Sequence, residues 1–314
     1  MFLRSLALAL ITCSALAEDQ QPSAAAWLNN MIHAMKTLNY QGTVVFVKNG
    51  QLDTMVYRHS IVNGVEQERL SSLNSPLREV TRKSSEVSCF FKETSQKIIN
   101  HHPIDSSFII NLPSDSADLD KLYTLSNVGQ ESIAMLPAQI VEIKPVDQLR
   151  YARKIWIETQ HYLPLKTEVY NPDGEILEQV VFTDLKFSNG TEVDAAESQD
   201  NANVHIKHIH ASQAEPLENA PFILKNWPAG FKTVFFIRNS LQASQKAVDH
   251  LLISDGFSTV SVYLEPKTEQ GVQGLHSLGM VNSYSKVIAD SQITVLGEVP
   301  AQTVETIAQG IVLR

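Results

Sequence analysis

The sequence predicts an α+β protein made of two units rich in antiparallel strands, with few helices. Three alternating apolar runs, over residues 155–158, 165–170 and 176–185, are separated by turn residues, as consecutive antiparallel strands are. Asn49-Gly50 and Asp255-Gly256 are strong hairpin turns in the two halves of the chain. The 314 residues, 43% of them hydrophobic, are enough to fill two cores.

Residues 1–17 have the features of a secretory signal peptide. Arg4 precedes an apolar run over residues 6–11, and Ala15-Leu16-Ala17 is a small-x-small cleavage site. The apolar run is too short to span a membrane, so the pattern predicts export and removal of the segment. An alternative interpretation makes Cys13 a lipidated residue.

Composition excludes some classes of function. A formal net charge of −9, with 25 Lys and Arg residues, is unfavourable for coating nucleic acid or anionic lipid head groups. Once the signal peptide is removed, Cys89 is the single remaining cysteine, so the sequence predicts no intrachain disulfide. Cys89 lies in an apolar, strand-like run, which favours a buried and inert thiol over a nucleophile.

The first predicted unit covers residues 24–190 and begins with a helix. Ser23 is a suitable N-cap, and the residues after it form one apolar stripe at three- and four-residue spacings: Ala24, Trp27, Leu28, Met31, Ile32, Met35 and Leu38. We expect the stripe to pack on the following sheet; alternatively, Trp27, Met31 and Met35 are an adaptable lining for an apolar ligand. Strands are predicted over residues 42–47, 52–59, 65–73, 78–81, 86–91 and 97–100, a short helix over 117–122, and strands from Leu125 and over 140–143.

Residues 191–212 are polar, with little periodicity, and predict a linker to the second unit. His205, His208 and His210 have a spacing that resembles a metal-binding tract. No cysteine or carboxylate stands at a matching position inside the tract, so we predict an exposed strand or linker and no metal site.

The second predicted unit covers residues 213–314. Its strands are predicted over residues 222–224, 233–238, 248–254, 257–264, 281–288 and 292–298. Pro300 then opens a closing helix with one apolar face, formed by Val304, Ile307, Ala308 and Ile311. A small antiparallel sheet would bury that face.

Catalytic and cofactor motifs are missing from the sequence. It contains no Gly-x-Ser-x-Gly elbow, no His-Glu-x-x-His, no phosphate-binding glycine-rich loop and no dinucleotide fingerprint. Asp105-Ser106-Ser107 beside His101-His102 resembles a hydrolase fragment only superficially, because triad members usually come from distant segments. We therefore predict a binding protein with no catalytic residues and no cofactor.

The loop around Trp227 and Phe231 is the remaining candidate for an interaction. Bulky aromatic residues beside Pro228 and Gly230 fit two interpretations, an interface anchor for a partner or a corner that plugs the core. We keep Trp227 and Phe231 as partner-interface candidates.

Short stretches in both units carry a resemblance to a known family. In the first unit they include Tyr40-Gln41-Gly42-Thr43, Glu68-Arg69-Leu70, Pro76-Leu77-Arg78-Glu79-Val80, Val87-Ser88-Cys89, Pro137-Ala138-Gln139, Arg150-Tyr151, Trp156 and Leu163-Pro164-Leu165-Lys166. In the second unit they include Trp227-Pro228-Ala229-Gly230-Phe231, Ser254-Asp255-Gly256, Val281-Asn282-Ser283-Tyr284-Ser285 and Val295-Leu296-Gly297-Glu298-Val299-Pro300. In this order and spacing they resemble the RseB/MucB family of periplasmic regulators of the envelope-stress sigma factor.

The resemblance implies both a fold and a function. The fold is an N-terminal curved antiparallel half-barrel sheet with covering helices, similar to lipoprotein carriers, plus a smaller C-terminal antiparallel sheet with one helix. The function is to bind the periplasmic part of a single-pass anti-sigma factor of the RseA/MucA type and shield it from proteolysis until lipopolysaccharide or lipoprotein acyl chains release it. A periplasmic lipid or lipoprotein carrier is the alternative, an exported hydrolase is a weaker one, and self-association is left open.

Strand alternation combined with this resemblance predicts which residues surround the apolar hollow. Trp27 and Met31 would plug it, and the wall would be formed by Val44, Phe46, Ile157, Leu165, Val169, Val180 and Phe182. On the 165–170 run we expect Leu165 and Val169 to share a face. We also expect Phe182→Glu to abolish release of the partner by lipid while leaving partner binding near normal.

Overall fold

The computed structural model describes residues 22–74, 76–84, 86–100, 107–113, 119–187, 204–209, 213–240, 247–268 and 271–314. The predicted signal peptide, most of the predicted linker, His210 and the stretch from His101 to Ser106 lie outside the described residues.

The first unit begins with helix α1, Ala24–Thr37, whose first turn is capped by the Ser23 hydroxyl accepting the Ala26 N–H at 3.2 Å. The elements that follow are β1 (Tyr40–Lys48), β2 (Gln51–Val62), β3 (Val65–Ser72), β4 (Arg78–Lys83), β5 (Glu86–Phe91), β6 (Gln96–Asn100), α2 (Leu119–Leu122), β7 (Tyr123–Ile133), β8 (Leu136–Pro145), β9 (Ala152–Glu158), β10 (Pro164–Tyr170), β11 (Ile176–Phe187) and β12 (His205–Ile209).

These twelve strands form one curved, open sheet in the order β12-β6-β5-β4-β3-β2-β1-β11-β10-β9-β8-β7. Two antiparallel meanders, β1 to β6 and β7 to β11, are joined where β1 pairs with β11. At this joint a Cβ on Gly42 would lie 2.2 Å from the Asp184 carbonyl oxygen, so only glycine lets the two backbones approach this closely. The open antiparallel sheet predicted from the sequence is confirmed.

Helix α1 packs on one face of the sheet, which we call the inner face. Its buried residues Trp27, Leu28, Met31 and Met35 share one core cluster with inner-face residues that include Val141, Ile143, Ile155, Ile157 and Phe182. Burying each of these large side chains contributes about 1.5–3 kcal/mol, so this stripe is what fixes the helix on the sheet. The prediction that the stripe packs on the sheet is confirmed.

The second unit is a smaller sheet with one helix. Its elements are β13 (Phe222–Leu224), β14 (Lys232–Ser240), β15 (Ala247–Ser254), β16 (Thr259–Pro266), β17 (Gly274–Leu278), β18 (Val281–Ile288), β19 (Ser291–Gly297), α3 (Ala301–Gln309) and β20 (Ile311–Leu313). Six strands form the sheet β14-β15-β16-β19-β18-β17, and β13 pairs separately with β20. Val304, Ile307 and Ala308 of α3 are fully buried in the core of this unit.

Three elements differ from the sequence prediction. Residues 205–209, placed in the linker, form β12, which pairs in parallel with β6. Strand β17 is largely exposed and has too little apolar alternation to be recognised. Ile311 was predicted on the face of the last helix, but α3 ends before Gly310, and Ile311 pairs with Leu224 in the antiparallel pair of β20 and β13.

The turn between β15 and β16 inserts into the first unit. Phe257 is 1% exposed and belongs to the core cluster of the first unit, with its ring 5.3 Å from that of Tyr123. Gly256 has a φ of +98°, and a Cβ there would lie 2.5 Å from Cβ of Pro113. Position 256 therefore requires glycine for two reasons, the left-handed backbone conformation of the turn and its close contact with the first unit.

A buried ion pair holds this turn in place. Arg150 Nε donates to Asp255 Oδ2 at 2.6 Å, and neither side chain is exposed. The Tyr123 hydroxyl donates to the same carboxylate oxygen at 2.8 Å, and burial followed by the charge of Asp255 raises the pKa of Tyr123. The guanidinium group also lies 5.1 Å from the centre of the Phe231 ring. The units are thus joined by charge and by apolar contact at one point.

We expect Asp255→Ala to destabilise the protein strongly, because Arg150 would lose the fully buried carboxylate bound to its Nε and keep only its pair with Asp147, whose side chain is 30% exposed. Removing one partner of a buried ion pair costs about 3–5 kcal/mol, measurable as a lower free energy of unfolding in urea by tryptophan fluorescence. The matched control is Asp290→Ala, which removes a pair with Lys267 in which the Asp290 side chain is 95% exposed, and should change stability by less than about 0.5 kcal/mol. Equal effects of the two substitutions would contradict this account.

Candidate functional site

An open cavity of about 470 Å³ lies where the inner face of the large sheet meets the second unit. Its volume is within the range of small-molecule sites, about 300–1,000 Å³. Strands β1 to β4 and β9 to β11 supply the walls, residues 107–111 cover one side, and Glu298 after β19 is the contribution of the second unit.

The apolar part of the wall follows from strand register. Phe46 on β1 pairs with Val180 on β11, and Val44 pairs with Met55 on β2, so their side chains emerge on the same inner face. The apolar side chains that line the cavity are Phe46, Met55, Leu70, Val80, Phe108, Ile109, Ile110 and Val180. This surface suits a hydrocarbon chain.

The segment 107–113, which we call the roof segment, is tied to the sheet through one carboxylate. Glu68 on β3 is 2% exposed and accepts a hydrogen bond from the Ser107 hydroxyl at 2.6 Å and from the Phe108 N–H at 3.3 Å. At its other end Pro113 contacts Gly256 of the second unit. The roof segment therefore touches the cavity, the large sheet and the second unit.

The same carboxylate is neutralised from the sheet side. Arg82 Nε donates to Glu68 at 2.9 Å, and the Tyr57 hydroxyl donates to it at 2.6 Å. Burial, followed by the charges of Tyr40 and Glu68, raises the pKa of Tyr57 well above its ordinary value, so Tyr57 remains a donor. With four donors, the carboxylate meets the usual requirement that a buried charge be paired and hydrogen-bonded.

Charged residues of both signs surround the mouth of the cavity. Lys48 Nζ lies 2.8 Å from Glu298 of the second unit and 3.1 Å from Glu178. Burial acts to lower the pKa of Lys48, but its hydrogen bond to Glu298 and the charge of Glu178 outweigh burial and raise the pKa. Arg78 pairs with Asp53 at 3.2 Å. The mouth therefore presents ion pairs rather than a patch of one sign.

The structure brings most of the predicted hollow residues into one cluster. Trp27, Met31, Val44, Ile157, Val180 and Phe182 are buried together, and Phe46 packs against them. Of this set only Phe46 and Val180 line the open cavity, because α1 fills the part of the hollow next to the others. The Nε1 of Trp27 is the single buried side-chain donor or acceptor without a partner among the described residues.

Leu165 and Val169 lie outside this cluster. A register shift between Pro164 and Lys166 redirects the side chain of Leu165, which packs in a separate cluster with Ala138 and Trp156. Val169 packs with Tyr151 and Met280. The bulge, which simple alternation does not reveal, removes Leu165 from the face that it was expected to share with Val169. Val169 still pairs with Arg153 of the cavity wall, but its side chain is covered by Tyr151 and by Met280 of the second unit.

Phe182 is 1% exposed and packs edge-on against Tyr57 at 6.0 Å. A glutamate there would bury a charge in the core, so Phe182→Glu is not a selective probe of the cavity. Phe231, kept as an interface candidate, is 3% exposed and lies against Arg150 at the junction of the units. Trp227 is 36% exposed, and its Nε1 donates to the Phe231 carbonyl oxygen.

Sequence reasoning missed the residues that join the units and hold the roof segment. Arg150, Asp255 and Glu68 stood inside stretches noted for family resemblance, but nothing in their spacing indicates that they are buried. A usable signal for Asp255 was its place in a hairpin turn followed by Phe257, since large aromatic side chains dominate the energetics of cores and interfaces.

Among the described residues there is no group of three or more His, Cys, Asp or Glu side chains that could hold a metal ion. The described helices include none whose length and hydropathy would let it cross a membrane. Cys89 is half-buried, and burial raises the pKa of its thiol, which disfavours the reactive thiolate.

Two family models match the chain. The MucB/RseB N-terminal domain matches residues 23–206, and the MucB/RseB C-terminal domain matches residues 216–312. Among curated relatives, the sigma factor AlgU regulatory protein MucB of Pseudomonas aeruginosa is 29% identical over 314 residues, 98% of this chain and 96% of the relative. The sigma-E factor regulatory protein RseB of Salmonella typhimurium is 27% identical over 302 residues, 93% of this chain and 92% of the relative.

Solved structures agree with the family models. MucB in complex with MucA(peri) is 26% identical, with a TM-score of 0.69, and covers 93% of this chain and 99% of that one. The Pseudomonas aeruginosa MucA/MucB complex is 25% identical, with a TM-score of 0.71 and the same coverage. Because the two family models together match both units, the chain belongs to the MucB/RseB family.

Proposed function

We propose that this protein is a periplasmic regulator that binds the periplasmic part of a membrane anti-sigma factor, shields it from regulated proteolysis and so restrains the envelope-stress sigma factor. The observation that carries the proposal is membership of the family across both units, together with a relative solved in complex with MucA(peri). The signal peptide predicted over residues 1–17 supports export. The relatives are named as regulatory proteins, which argues against a catalytic role.

We further propose that a lipid or lipoprotein acyl chain in the cavity lowers the affinity of the protein for the anti-sigma factor. A ligand can release a partner only to the extent that it prefers the partner-free protein. Support comes from the position of the cavity, which is lined by residues of both units, Lys48 and Glu298 among them. A partner that contacts both units would be sensitive to what occupies the space between them.

A lipid or lipoprotein carrier is the second candidate, and the open cavity itself is the observation that favours it. A carrier needs only the first unit. The second unit here is joined to the first through the buried pair of Arg150 and Asp255, which fixes the position of the second unit. A carrier does not require that fixed position. This favours the regulator.

The first test is capture of the anti-sigma segment. The full mature protein should bind the periplasmic segment of the cognate anti-sigma factor at micromolar concentration or below by isothermal titration calorimetry. Trp227→Ala should weaken binding about tenfold if the half-exposed indole anchors the partner. Leu278→Ala, which removes an apolar side chain that is 70% exposed on β17, is the matched control and should leave the affinity unchanged. Absence of any capture would favour the carrier.

The second test fills the cavity. Val80 is half-buried and lines the cavity, so Val80→Trp should occupy the space needed by an acyl chain. We expect lipid to release the anti-sigma segment from this variant at least about tenfold less effectively, while binding without lipid stays near normal. Val45→Trp is the control, since Val45 lies on β1 next to the inner-face residues Val44 and Phe46 and faces the opposite side. Unaltered release from Val80→Trp would count against the cavity as the sensor.

A further inference from the structure

We propose that one end of the large sheet docks reversibly on a bilayer surface of zwitterionic phospholipids, through apolar side chains at the tips of its hairpins. The inference goes beyond the proposed function, because it concerns a membrane surface and neither the anti-sigma factor nor the contents of the cavity. It depends on three observations: the end of the sheet at which exposed apolar residues lie, the hydrogen bonds that hold them, and the charges around them.

The exposed apolar residues of the first unit are concentrated at one end of the sheet. Turns of an antiparallel meander alternate between its two ends, and Lys48 pairs with Glu178, so the β1–β2, β3–β4, β5–β6 and β10–β11 turns share one end. We call it the mouth end, because Gln51 of the β1–β2 turn lines the cavity. Five large, exposed apolar side chains lie on or beside these turns: Leu52, Leu73, Leu77, Phe91 and Ile176. Among the described residues of the first unit, the opposite end has two, Met135 and Phe187.

Hydrogen bonds hold these side chains in position. The Leu73 N–H donates to the Thr54 carbonyl oxygen on β2 at 2.8 Å. The Asn74 side chain accepts from the Thr54 N–H at 3.0 Å and donates to the Leu52 carbonyl oxygen at 3.4 Å. The Leu77 carbonyl oxygen accepts a backbone N–H of the β5–β6 turn at 3.1 Å. The mouth end is therefore an ordered rim that exposes apolar side chains, a feature that marks contact with a protein or a membrane.

The spacing of the tips favours a bilayer over a protein. Neighbouring strands are about 4.8 Å apart, so turns at one end of the sheet recur about every 10 Å along the rim. Polar residues such as Asn49 and Asn74 stand between the apolar ones. The apolar side chains are thus separate points on an arc, whereas a helix or an extended peptide is recognised by a continuous groove or a sheet edge. A bilayer interface accepts each apolar point separately and leaves the polar residues among the head groups.

The charges select a surface without net charge. Lys48 pairs with Glu178 and with Glu298, and Arg78 pairs with Asp53, so these cations already have counter-charges and add little attraction to anionic head groups. The whole chain has a formal net charge of −9, which an anionic bilayer would repel. Docking would therefore be driven by burial of the apolar tips, which does not depend on the charge of the lipid.

Docking at this end would place the mouth of the cavity against the bilayer. Asn49 and Gln51 of the β1–β2 turn line the cavity, and so does Arg78, which directly follows the β3–β4 turn. A hydrocarbon chain would then pass between bilayer and cavity with little exposure to water, and that exposure is the main barrier to moving a lipid. This consequence rests on the proposed response to lipid; the docking itself does not.

Co-sedimentation of the full mature protein with large vesicles of phosphatidylcholine tests the docking. We expect the combined substitutions Leu52→Ser, Leu73→Ser and Leu77→Ser to lower the partition coefficient at least about twentyfold, because three exposed leucines lose their burial in the bilayer. Met135→Ser is the matched control, since Met135 is 97% exposed at the opposite end, and it should change nothing. No sedimentation of the unaltered protein, or equal partition of the triple variant, would overturn the inference.

A fluorescent side chain tests which end of the sheet meets the bilayer. Brominated phosphatidylcholine should quench the additional emission of Leu52→Trp and leave that of Met135→Trp unchanged, because tryptophan at a docked tip lies at the level of the head groups. Equal quenching of the two variants would contradict docking by the mouth end. Replacing about a third of the lipid by phosphatidylglycerol should weaken binding at low ionic strength, and salt should remove the difference. Tighter binding to the anionic vesicles would overturn the assignment to a zwitterionic surface.

These measurements contain no anti-sigma factor, so they separate this inference from the proposed function. Docking on vesicles by a protein that does not capture the anti-sigma segment would support the inference and count against the proposed function. If the triple variant loses capture of the segment while the unaltered protein ignores vesicles, the rim belongs to the protein partner and the inference is overturned.

Discussion

One helix cannot cover the inner face of a twelve-stranded sheet. Neighbouring strands are about 4.8 Å apart and a helix with its side chains is about 10 Å across, so α1 shields only two or three strands' width. The remaining apolar surface has to be covered by something else or stay open. Here the roof segment and the turn that carries Phe257 cover part of it, and the space that neither fills is the cavity.

The covering pieces are held by buried charges as well as by apolar contact. Glu68 fastens the roof segment by accepting hydrogen bonds from Ser107 and Phe108, and Asp255 fastens the turn of the second unit by pairing with Arg150. Each of the two carboxylates is bound by one arginine and one tyrosine hydroxyl. A buried ion pair adds little net stability over a hydrophobic replacement, but leaving one partner unpaired is costly. Such pairs therefore specify one position for each covering piece, and a rearrangement that keeps them intact is strongly preferred.

Local patterns in the sequence were sufficient for most strands and for both long helices, because burial on one face imposes a period of two or of 3.6. They were insufficient where a single extra residue changes the face, as the bulge before Lys166 does for Leu165. They also gave no indication of the roof segment, whose apolar residues do not recur with the period of a helix or a strand. Nor did they indicate the pairing of Arg150 with Asp255, which are 105 positions apart in the sequence. Of the predicted hollow residues, alternation placed those on β1 and β11 together but did not show that α1 would occupy most of the hollow.

In the proposed mechanism, an occupied cavity would lower the affinity for a bound partner. The free energies of the contacts involved indicate which of them could transmit that effect. The ion pair of Lys48 and Glu298 spans the two units, but its side chains are about a third exposed, and such pairs contribute about 0–1 kcal/mol. Breaking it cannot release a partner held at micromolar affinity, about 8 kcal/mol. Burying a hydrocarbon chain contributes about 0.8 kcal/mol per methylene, so a chain of about twelve methylenes makes on the order of 10 kcal/mol available. In the proposed mechanism the coupling would therefore pass through the apolar cover. A chain that displaced the roof segment would also shift Pro113, which contacts Gly256 beside Phe257, and so would alter how the second unit packs on the first.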